Sequence, residues 1–448
     1  MDDLCYLSAK VLARRIRQRE LTATDALGAF IERIDKINPR LNAVVSADAD
    51  RARRAAADAD RLLAQGGIPG PLHGVPMVVK DGNDVAGMRT TLGTESLDRI
   101  AEKDGTVAAR LHAAGAVIMG LSNVPPYLVG YRTDNPIFGR TNNPWDLGRT
   151  PGGSSGGGAA ALAAGLTPVE VGSDFGGSLR LPPHFCGVYG LKTTEHRVST
   201  VGFWRPPEGV PRAVRMLLSI GPMARDLDDL ELVLRVIAGS DGRATEVPPV
   251  PLADRRPRSL SGLRLAVVTA LPGAPVAAGL RAEVERIAAE ASDAGAHVAD
   301  RLPDVDWEDL RLSGELLTAA TGVFDPNAHL PGEHRTLAWF LTALDRRDRF
   351  INAWSDYFEE YDALLMPPGT TTAFTHDSTA DIGQETQLVF ANLAGLPGLA
   401  VPAGHDENGL PIGVQIIGPQ WSEMALLDIA AAFEGAGILP GFSRPPGY

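Results

Sequence analysis

The chain has 448 residues, of which 44% are hydrophobic and 22% charged, and its formal net charge is −13. This composition is typical of a globular protein in water, and an acidic chain without runs of Lys and Arg excludes nucleic acid as an expected partner. The two cysteines, Cys5 and Cys186, are too few for a disulfide framework and do not have the spacing of a zinc site. The N-terminus is acidic and no apolar run is long enough to span a bilayer. We therefore expect no signal peptide, no membrane contact and a cytoplasmic location.

Residues 1–66 are predicted to form an N-terminal helical layer. Ser8 and Thr22 stand where they can cap two helices, and the second of these is expected to stop at Asn38-Pro39. A third helix, rich in Ala, Asp and Arg, is predicted over about 47–65. The polar composition of these segments indicates a solvated layer that lies against a larger body.

From Val75 onward, short apolar runs alternate with helical segments. The runs predicted as strands are 77–79, 116–119, 169–172, 263–268, 363–366, 399–401 and 414–417. The segments predicted as helices are 105–114, 157–165, 226–238, 278–294 and 422–434. This alternation favours an α/β fold in which helices cover a largely buried sheet, and we treat 1–448 as a single domain.

Residues 150–158 form a glycine-rich loop with two serines, Ser154 and Ser155, at its centre. Glycines allow backbone conformations that are closed to other residues and let the main chain approach a ligand. The loop runs into a helix start near Gly158, where free N–H groups and the helix dipole favour negative charge. A Walker loop needs Lys-Ser/Thr after its last glycine, and Ala159 stands there instead, so the loop does not predict a nucleotide phosphate site.

A second glycine pair stands in Asp174-Phe175-Gly176-Gly177-Ser178, just after a predicted strand. Consecutive turn residues of this kind can point several N–H groups at one place and form an anion nest. A serine at the end of such a nest has its hydroxyl beside ready oxyanion donors, which is what acyl transfer requires. Two glycine-rich turns that each place a serine, at the two ends of one helix-strand segment, therefore indicate a serine hydrolase.

The base that would activate a serine is less obvious from the sequence. Segment 153–157 also fits Gly-x-Ser-x-Gly, which would make Ser155 the nucleophile of an α/β-hydrolase, but a loop precedes it where that motif needs a strand. Among the histidines only His184 lies within these motifs, and its spacing matches no triad. Lys80 closes the apolar run 77–79 and is one of only five lysines among 42 basic residues. Burial at a strand end would depress the pKa of a lysine and leave a neutral amine able to accept a proton.

Together these segments resemble the amidase signature family. The segments that carry the resemblance are 74–81, 90–94, 139–146, 152–157, 174–182, 185–192, 221–225, 395–402 and 409–419. The resemblance is strong over about 70–240, the predicted signature core, returns at about 360–435 and is weak between them. It implies a single large mixed β-sheet covered by helices on both faces.

By motif position, the resemblance implies that Ser178 is the acylated nucleophile and that Ser154, through a cis peptide bond, links it to Lys80. The backbone N–H groups implied as an oxyanion hole are those of Phe175, Gly176, Gly177 and Ser178. The side chains implied as supports for these loops are Ser155, Asp174 and Arg180. The implied chemistry needs no metal and no cofactor.

The sequence says least about the substrate. Tyr127, Phe203 and Trp204 are predicted pocket walls, together with the variable region 300–350. The apolar character of Phe203 and Trp204 favours a small hydrophobic or aryl amide, which would be hydrolysed to an acid plus an amine or ammonia. This small-molecule amide is the expected partner, and a homodimer is one expected assembly.

Two alternatives use the same scaffold. An esterase or acyltransferase would form the same acyl-enzyme on Ser178. The glutamine-hydrolysing subunit of an aminoacyl-tRNA amidotransferase is the less favoured alternative, because its Arg-Tyr-Asp-Gly-Val/Ile-Arg segment is not found in the corresponding region, 315–324.

Overall fold

Helices and strands alternate along the computed structural model of the protein, which describes residues 2–205, 214–322, 331–380 and 383–448. The helices are α1 (Asp2–Cys5), α2 (Ala9–Arg17), α3 (Ala23–Leu41), α4 (Ala49–Ala64), α5 (Thr106–Ala113), α6 (Gly156–Ala163), α7 (Leu181–Cys186), α8 (Leu227–Ile237), α9 (Ala278–Asp293), α10 (Arg311–Gly322), α11 (Leu337–Glu360), α12 (Val389–Leu393) and α13 (Glu423–Gly435). The strands are β1 (Val44–Ala47), β2 (Pro76–Lys80), β3 (Arg89–Thr90), β4 (Arg99–Ile100), β5 (Val117–Ser122), β6 (Val169–Asp174), β7 (Tyr189–Lys192), β8 (Ser219–Ala224), β9 (Arg264–Val267), β10 (His297–Ala299), β11 (Ala363–Met366), β12 (Gly398–His405) and β13 (Pro411–Ile417). Residues 206–213 of the predicted signature core and 323–330 of the predicted 300–350 region lie outside the described residues.

One mixed sheet dominates the described residues. Its eleven strands follow the order β1-β5-β2-β6-β8-β7-β12-β13-β11-β9-β10, and β3 and β4 form a separate pair. Strand β2 lies parallel between β5 and β6, whereas β6 is antiparallel to β8. Strands β2, β5, β6 and β8 are buried along their whole length, as expected where helices cover both faces of a sheet. The predicted α/β fold with a single large mixed sheet is confirmed.

The N-terminal layer differs from the prediction in two details. Ser8 and Thr22 cap α2 and α3 as expected, each accepting a hydrogen bond from a backbone N–H in the first turn. Helix α3 does not stop at Asn38-Pro39 but continues to Leu41, with Pro39 inside its last turn. The layer also contains a strand, β1, which is too short to be recognised from its two valines and pairs antiparallel with β5.

Two central strands, β7 and β8, are not predicted from the sequence because glycine interrupts their apolar pattern. A Cβ on Gly221 would lie 1.9 Å from the carbonyl oxygen of Leu191, and one on Gly190 would lie 2.1 Å from that of Leu179. Both glycines therefore permit a close approach of neighbouring backbones that no side chain would tolerate. All the runs predicted as strands do form strands, and the helices predicted after Val75 correspond to α5, α6, α8, α9 and α13.

The sheet brings three loops to one edge. Parallel strands β2 and β6 end at Lys80 and Asp174, so the segments that follow them meet at the same edge. Helix α6, buried along its length, begins at Gly156 and brings the loop before it to that edge. None of the described helices combines the length and the apolar character that crossing a bilayer requires.

Candidate active site

Lys80 ends β2 with its side chain fully buried. Its Nζ lies 2.7 Å from Ser154 Oγ, 2.8 Å from Ser155 Oγ and 3.0 Å from Ser173 Oγ. Desolvation lowers the pKa of Lys80 from its ordinary value, and the negative charges of Glu170 and Asp174 only partly oppose this. Lys80 is thus a buried amine surrounded by hydroxyl groups, with an enhanced tendency to lose its proton.

Ser154 lies between Lys80 and Ser178. The peptide bond between Gly153 and Ser154 is cis. Ser154 Oγ lies 3.0 Å from Ser178 Oγ, and the Ser154 N–H donates a hydrogen bond of 2.9 Å to the same oxygen. A Cβ on Gly153 would lie 2.5 Å from the carbonyl oxygen of Gly130, so the loop can occupy this place only with glycine there. Lys80 Nζ, Ser154 Oγ and Ser178 Oγ form one hydrogen-bonded line.

Ser155, the alternative nucleophile, is placed differently. It is fully buried, it accepts a hydrogen bond from Lys80, and its own hydroxyl donates to the carbonyl oxygen of Ser173 at 3.3 Å. The Gly-x-Ser-x-Gly pattern is therefore present without the strand-to-helix turn that exposes a hydrolase nucleophile. Ser178, by contrast, keeps 7% of its surface exposed.

Of the four backbone N–H groups predicted as oxyanion donors, one is already used inside the loop before Ser178. The Gly177 N–H donates to Asp174 Oδ1 at 2.7 Å, because the aspartate side chain folds back under its own loop. Phe175, Gly176 and Ser178 remain as the candidate oxyanion donors. Gly177 itself has a φ of 114°, which side-chain-bearing residues rarely adopt.

Asp174 and Arg180 hold this loop from beneath. Both are fully buried, and Nε and Nη2 of Arg180 donate to the two carboxylate oxygens of Asp174 at 3.0 Å each. The side chain of Asn392 ties in α12, accepting from Arg180 at 2.7 Å and donating to Asp174 Oδ1 at 2.9 Å. Burial by itself would raise the pKa of Asp174, but the guanidinium of Arg180 outweighs it and holds that pKa below its ordinary value.

Removing the charge of Asp174 is expected to loosen the loop and destabilise the fold. Asp174→Asn leaves Arg180 buried without its carboxylate, so the free energy of unfolding at pH 7 should fall by about 3–5 kcal/mol in urea denaturation. Asp50→Asn is the matched control, because Asp50 pairs with Arg53 on the surface and should cost less than about 1 kcal/mol. Because the folded-state pKa of Asp174 is depressed, its contribution is present above about pH 4 and is lost as the pH falls further. Equal effects of the two substitutions would contradict this role.

A cavity of about 680 Å³ lies next to α12, and its lining includes none of the residues 174–178 of the Ser178 loop. Val389 lines it, and Val389 Cγ1 lies 3.5 Å from where a Cβ on Gly176 would stand. The Tyr131 hydroxyl, 3.7 Å from the same point, donates to the carbonyl oxygen of Gly176 at 2.8 Å. Val389 lies far along the chain from the nucleophile motif, and no feature of its sequence marks it as part of the site.

The lining of this cavity carries charges of both signs. Glu315 and Glu385 are its carboxylates, and Arg311 and His334 are its basic groups. Arg311 and Glu315 belong to α10 and His334 to a short 3₁₀ turn, so part of the predicted 300–350 region does face the cavity. The charges of this region could not be related to a pocket from the sequence.

None of the three predicted pocket walls lines this cavity. Phe203 is buried against the turn after Lys80, with a ring atom 3.4 Å from where a Cβ on Gly82 would stand. The backbone N–H of Trp204 donates to the carbonyl oxygen of Gly82 at 3.0 Å. Tyr127 is 45% exposed, and its hydroxyl lies 3.0 Å from Ser96 Oγ. Phe203 and Trp204 thus contact the turn that follows Lys80.

His184 is buried and fully hydrogen-bonded to the backbone. Its Nδ1 accepts from the Gly413 N–H at 2.7 Å, and its Nε2 lies 3.1 Å from the carbonyl oxygen of Thr371. Burial lowers the pKa of His184 to about 4, so it is neutral at pH 7. A histidine that uses both ring nitrogens in this way holds strands and loops together.

Comparison with known proteins places the chain among amide hydrolases. The family model described as Amidase matches residues 25–325 and 307–427. A relative from Deinococcus deserti, described as a subunit of glutamyl-tRNA(Gln) amidotransferase, is 36% identical over 490 residues, which cover 98% of each chain. The structure of 6-aminohexanoate cyclic dimer hydrolase superposes with a TM-score of 0.85 at 27% identity and covers 99% of both chains. The corresponding glutamyl-tRNA(Gln) amidotransferase subunit from Thermotoga maritima superposes with a TM-score of 0.80 at 27% identity and covers 99% of this chain and 98% of that one.

These relatives correct the substrate prediction. The sequence favoured a small hydrophobic or aryl amide and ranked the amidotransferase subunit below it. Relatives that match 94–98% of this chain at 31–36% identity are described as subunits of that amidotransferase, so the hydrophobic-amide prediction is wrong.

The family itself is established by both kinds of match. The family model covers most of the chain, and the relatives exceed 30% identity over nearly its whole length. The sheet and its loops superpose on solved amide hydrolases over almost every residue. The chain belongs to the amidase signature family.

Proposed function

We propose that this chain is the amide-hydrolysing subunit of an amidotransferase, and that it releases ammonia from L-glutamine through an acyl-enzyme on Ser178. The observation that carries the proposal is the hydrogen-bonded line from Lys80 through Ser154 to Ser178, with links of 2.7 and 3.0 Å. The relatives described as glutamyl-tRNA(Gln) amidotransferase subunits support the choice of substrate and of assembly.

The proposed reaction begins with neutral Lys80. Ser178 gives its proton to Ser154, Ser154 gives its own to Lys80, and the Ser178 oxygen attacks the amide carbon. The proton then returns along the same line to the departing nitrogen, so the C–N bond breaks and ammonia leaves. Water, deprotonated by the same relay, attacks the ester on Ser178 and releases the acid.

The negative charge on the carbonyl oxygen needs donors during both attacks. The backbone N–H groups of Phe175, Gly176 and Ser178 are the candidates, since that of Gly177 donates to Asp174. Removing one donor of this kind typically costs about 3–4 kcal/mol of transition-state stabilisation. Tyr131, whose hydroxyl bonds to the Gly176 carbonyl, would keep this peptide from rotating away.

The charges around the cavity support an amino acid as the substrate. L-Glutamine carries an ammonium and a carboxylate at the end opposite its amide, so it needs a pocket with partners of both signs. Glu315 and Glu385 can meet the ammonium, and Arg311 can meet the carboxylate.

Glu385→Gln is expected to weaken glutamine binding without slowing the chemistry. The residue lies at the exposed part of the lining, so we expect KM for L-glutamine to rise by about fivefold to tenfold and kcat to stay within about twofold. Steady-state glutamate release measures both constants. Glu407→Gln, on an exposed turn away from the cavity, is the control and should change neither. An unchanged KM would remove Glu385 from the substrate site.

The proposed function is tested by measuring ammonia and glutamate release from L-glutamine, first with the chain alone and then with the other subunits of an amidotransferase. We expect hydrolysis that disappears in Ser178→Ala, and amide transfer to glutamyl-tRNA(Gln) only in the assembled enzyme. An enzyme that cleaves anilides and esters but leaves L-glutamine intact in both states would contradict the proposal.

A further inference from the structure

A second buried ionisable group lies beside Lys80 and has no part in the relay described above. Glu170 is in β6, fully buried, and pairs in register with Val78 of the parallel strand β2. Side chains alternate along a strand, so Glu170 and Lys80 project from the same face of the sheet. Burying a carboxylic acid in this position is costly unless its charge is paired or it binds a proton.

The two oxygens of Glu170 have unequal surroundings. Oε1 accepts a hydrogen bond of 2.9 Å from Ser122 Oγ, on the strand that flanks β2 on its other side. Oε2 is buried and has no hydrogen-bond partner among the described residues. A packing role alone would not leave a carboxylate oxygen in this state, because an apolar residue of similar size would fill the same space without that cost.

The unpartnered oxygen points toward the surroundings of Lys80. A Cβ on Gly172 would lie 3.1 Å from Glu170 Oε2 and 2.9 Å from Ser155 Oγ, so both atoms border the same point. Ser155 Oγ in turn lies 2.8 Å from Lys80 Nζ. Glu170 Oε2, Ser155 Oγ and Lys80 Nζ therefore lie in the same buried region on this face of the sheet.

The other charged groups that face this region are already paired. Asp174 is bound by Arg180 through two hydrogen bonds. Lys192 donates to the carbonyl oxygen of Leu396 at 2.6 Å. The carboxylate of Asp81 accepts hydrogen bonds from the threonines of the turn after β2, Thr90 and Thr91. Glu170 is therefore the acidic group near Lys80 that has no other cation as a partner among the described residues.

We propose that Glu170 is a positioning residue whose carboxylate stabilises the Lys80 ammonium formed when the Ser178 proton arrives, and so sets the pH range in which Lys80 accepts that proton. This rests on the proposed nucleophile but not on the identity of the substrate. No atoms are gained or lost, because the proton moves from Ser178 through Ser154 to Lys80 and Glu170 contributes only its charge.

The titration behaviour of the pair agrees with this geometry. Burial raises the pKa of Glu170, while the hydrogen bond from Ser122 and the charge of Lys80 lower it. Burial lowers the pKa of Lys80, and the charge of Glu170 is the largest effect that raises it. Removing the carboxylate leaves the desolvation of Lys80 unopposed by its main counter-charge. Lys80 then loses its proton at a lower pH and is also a weaker base.

The test is the pH dependence of Ser178 labelling by a fluorophosphonate, a probe that needs the nucleophile but no amide substrate. In Glu170→Gln, which keeps the shape and the Ser122 hydrogen bond, the acid limb should move down by about one pH unit. The labelling rate above the limb should fall about threefold, because the base is weaker. Ser122→Ala disturbs the same packing but keeps the charge, and its limb should stay within about half a unit of the wild type.

The outcomes separate the two proposals. Labelling that is no faster than in Ser178→Ala counts against the nucleophile itself. Labelling at Ser178 with an unmoved or raised limb in Glu170→Gln overturns the role of Glu170, whether or not glutamine is a substrate. If Glu170→Gln does not fold, NMR of wild-type protein with ¹⁵N-labelled lysine serves instead, since the chain has only five lysines. The Lys80 signal should then titrate in two steps, and a single step near the ordinary lysine pKa overturns the proposal.

Discussion

Ser178→Ala is expected to lower kcat for amide hydrolysis by more than about 10⁴-fold and to leave the fold intact. The substitution removes the atom that would form the acyl-enzyme, while Ser154 and Lys80 keep their own hydrogen bond of 2.7 Å. In hydrolases of this type, loss of the nucleophile costs about as much as loss of the whole catalytic set. The measurement is glutamate release over hours, with circular dichroism and thermal unfolding to establish folding.

Ser155→Ala is the matched comparison, because it removes a hydroxyl from the same loop. Ser155 contacts Lys80 at 2.8 Å and the Ser173 carbonyl, but the line to Ser178 runs through Ser154. We therefore expect a loss of about tenfold to a hundredfold in kcat, as for a group that only orients the base. A larger loss in Ser155→Ala than in Ser178→Ala would exchange their roles.

Replacing Lys80 is expected to have the second largest effect. Lys80→Met keeps the length of the side chain but removes the proton acceptor, and kcat should fall by about 10²–10⁴-fold, the usual contribution of a general acid–base group. Lys80→Arg should be equally inactive, because a guanidinium stays protonated and cannot accept the Ser178 proton. Activity above a tenth of the wild type in either variant would contradict the role of Lys80.

The protonation of Lys80 also determines the pH dependence of the wild-type enzyme. Lys80 must be neutral to accept a proton, so kcat/KM should rise with pH through the folded-state pKa of Lys80. Because burial lowers that pKa, the acid limb should lie well below about 10.4, the ordinary value for lysine. A pH–rate profile measured at constant ionic strength checks this, and a limb at or above the ordinary value would mean that Lys80 is solvated during turnover.

Much of the site could be predicted because its signals are local in the sequence. Lys80 closes an apolar run in a chain with few lysines, and Ser178 ends a glycine pair after a strand, so each can be argued from its neighbours. The choice between Ser154 and Ser155 is not local. It depends on the turn of the loop at Gly153, whose missing Cβ allows the Gly130 backbone to approach.

Other parts of the site come from segments that are remote in sequence. Asn392 reaches Asp174 and Arg180 from α12, and Val389 of the same helix lines the cavity and lies near Gly176. Nothing in their own neighbourhoods predicts these contacts, because the fold of the sheet brings them together. The position of Phe203 also depends on tertiary packing, because its contact with the turn after Lys80 joins segments that are remote in sequence.

The fold, like the site, could be predicted where its signals are local in the sequence and not where it depends on contacts between remote segments. The apolar runs of β2, β6 and β13 mark these strands, whereas glycines interrupt the apolar pattern of β7 and β8 at positions where another backbone segment approaches closely. Glu170 lies in an otherwise apolar run, and its charge is informative only once Lys80 is found on the adjacent strand. Periodicity predicts which segments are strands, but the order of the strands places the two charged groups side by side.

The central claim is that Ser178 attacks the side-chain amide of glutamine and forms the acyl-enzyme. The most direct measurement is peptide mass mapping of the wild-type protein after acid quenching during turnover of L-glutamine. We predict a γ-glutamyl ester on the peptide that contains Ser178, located at that residue by fragmentation and absent from Ser178→Ala. A γ-glutamyl group on Ser154 or Ser155, with Ser178 unmodified, would contradict this claim.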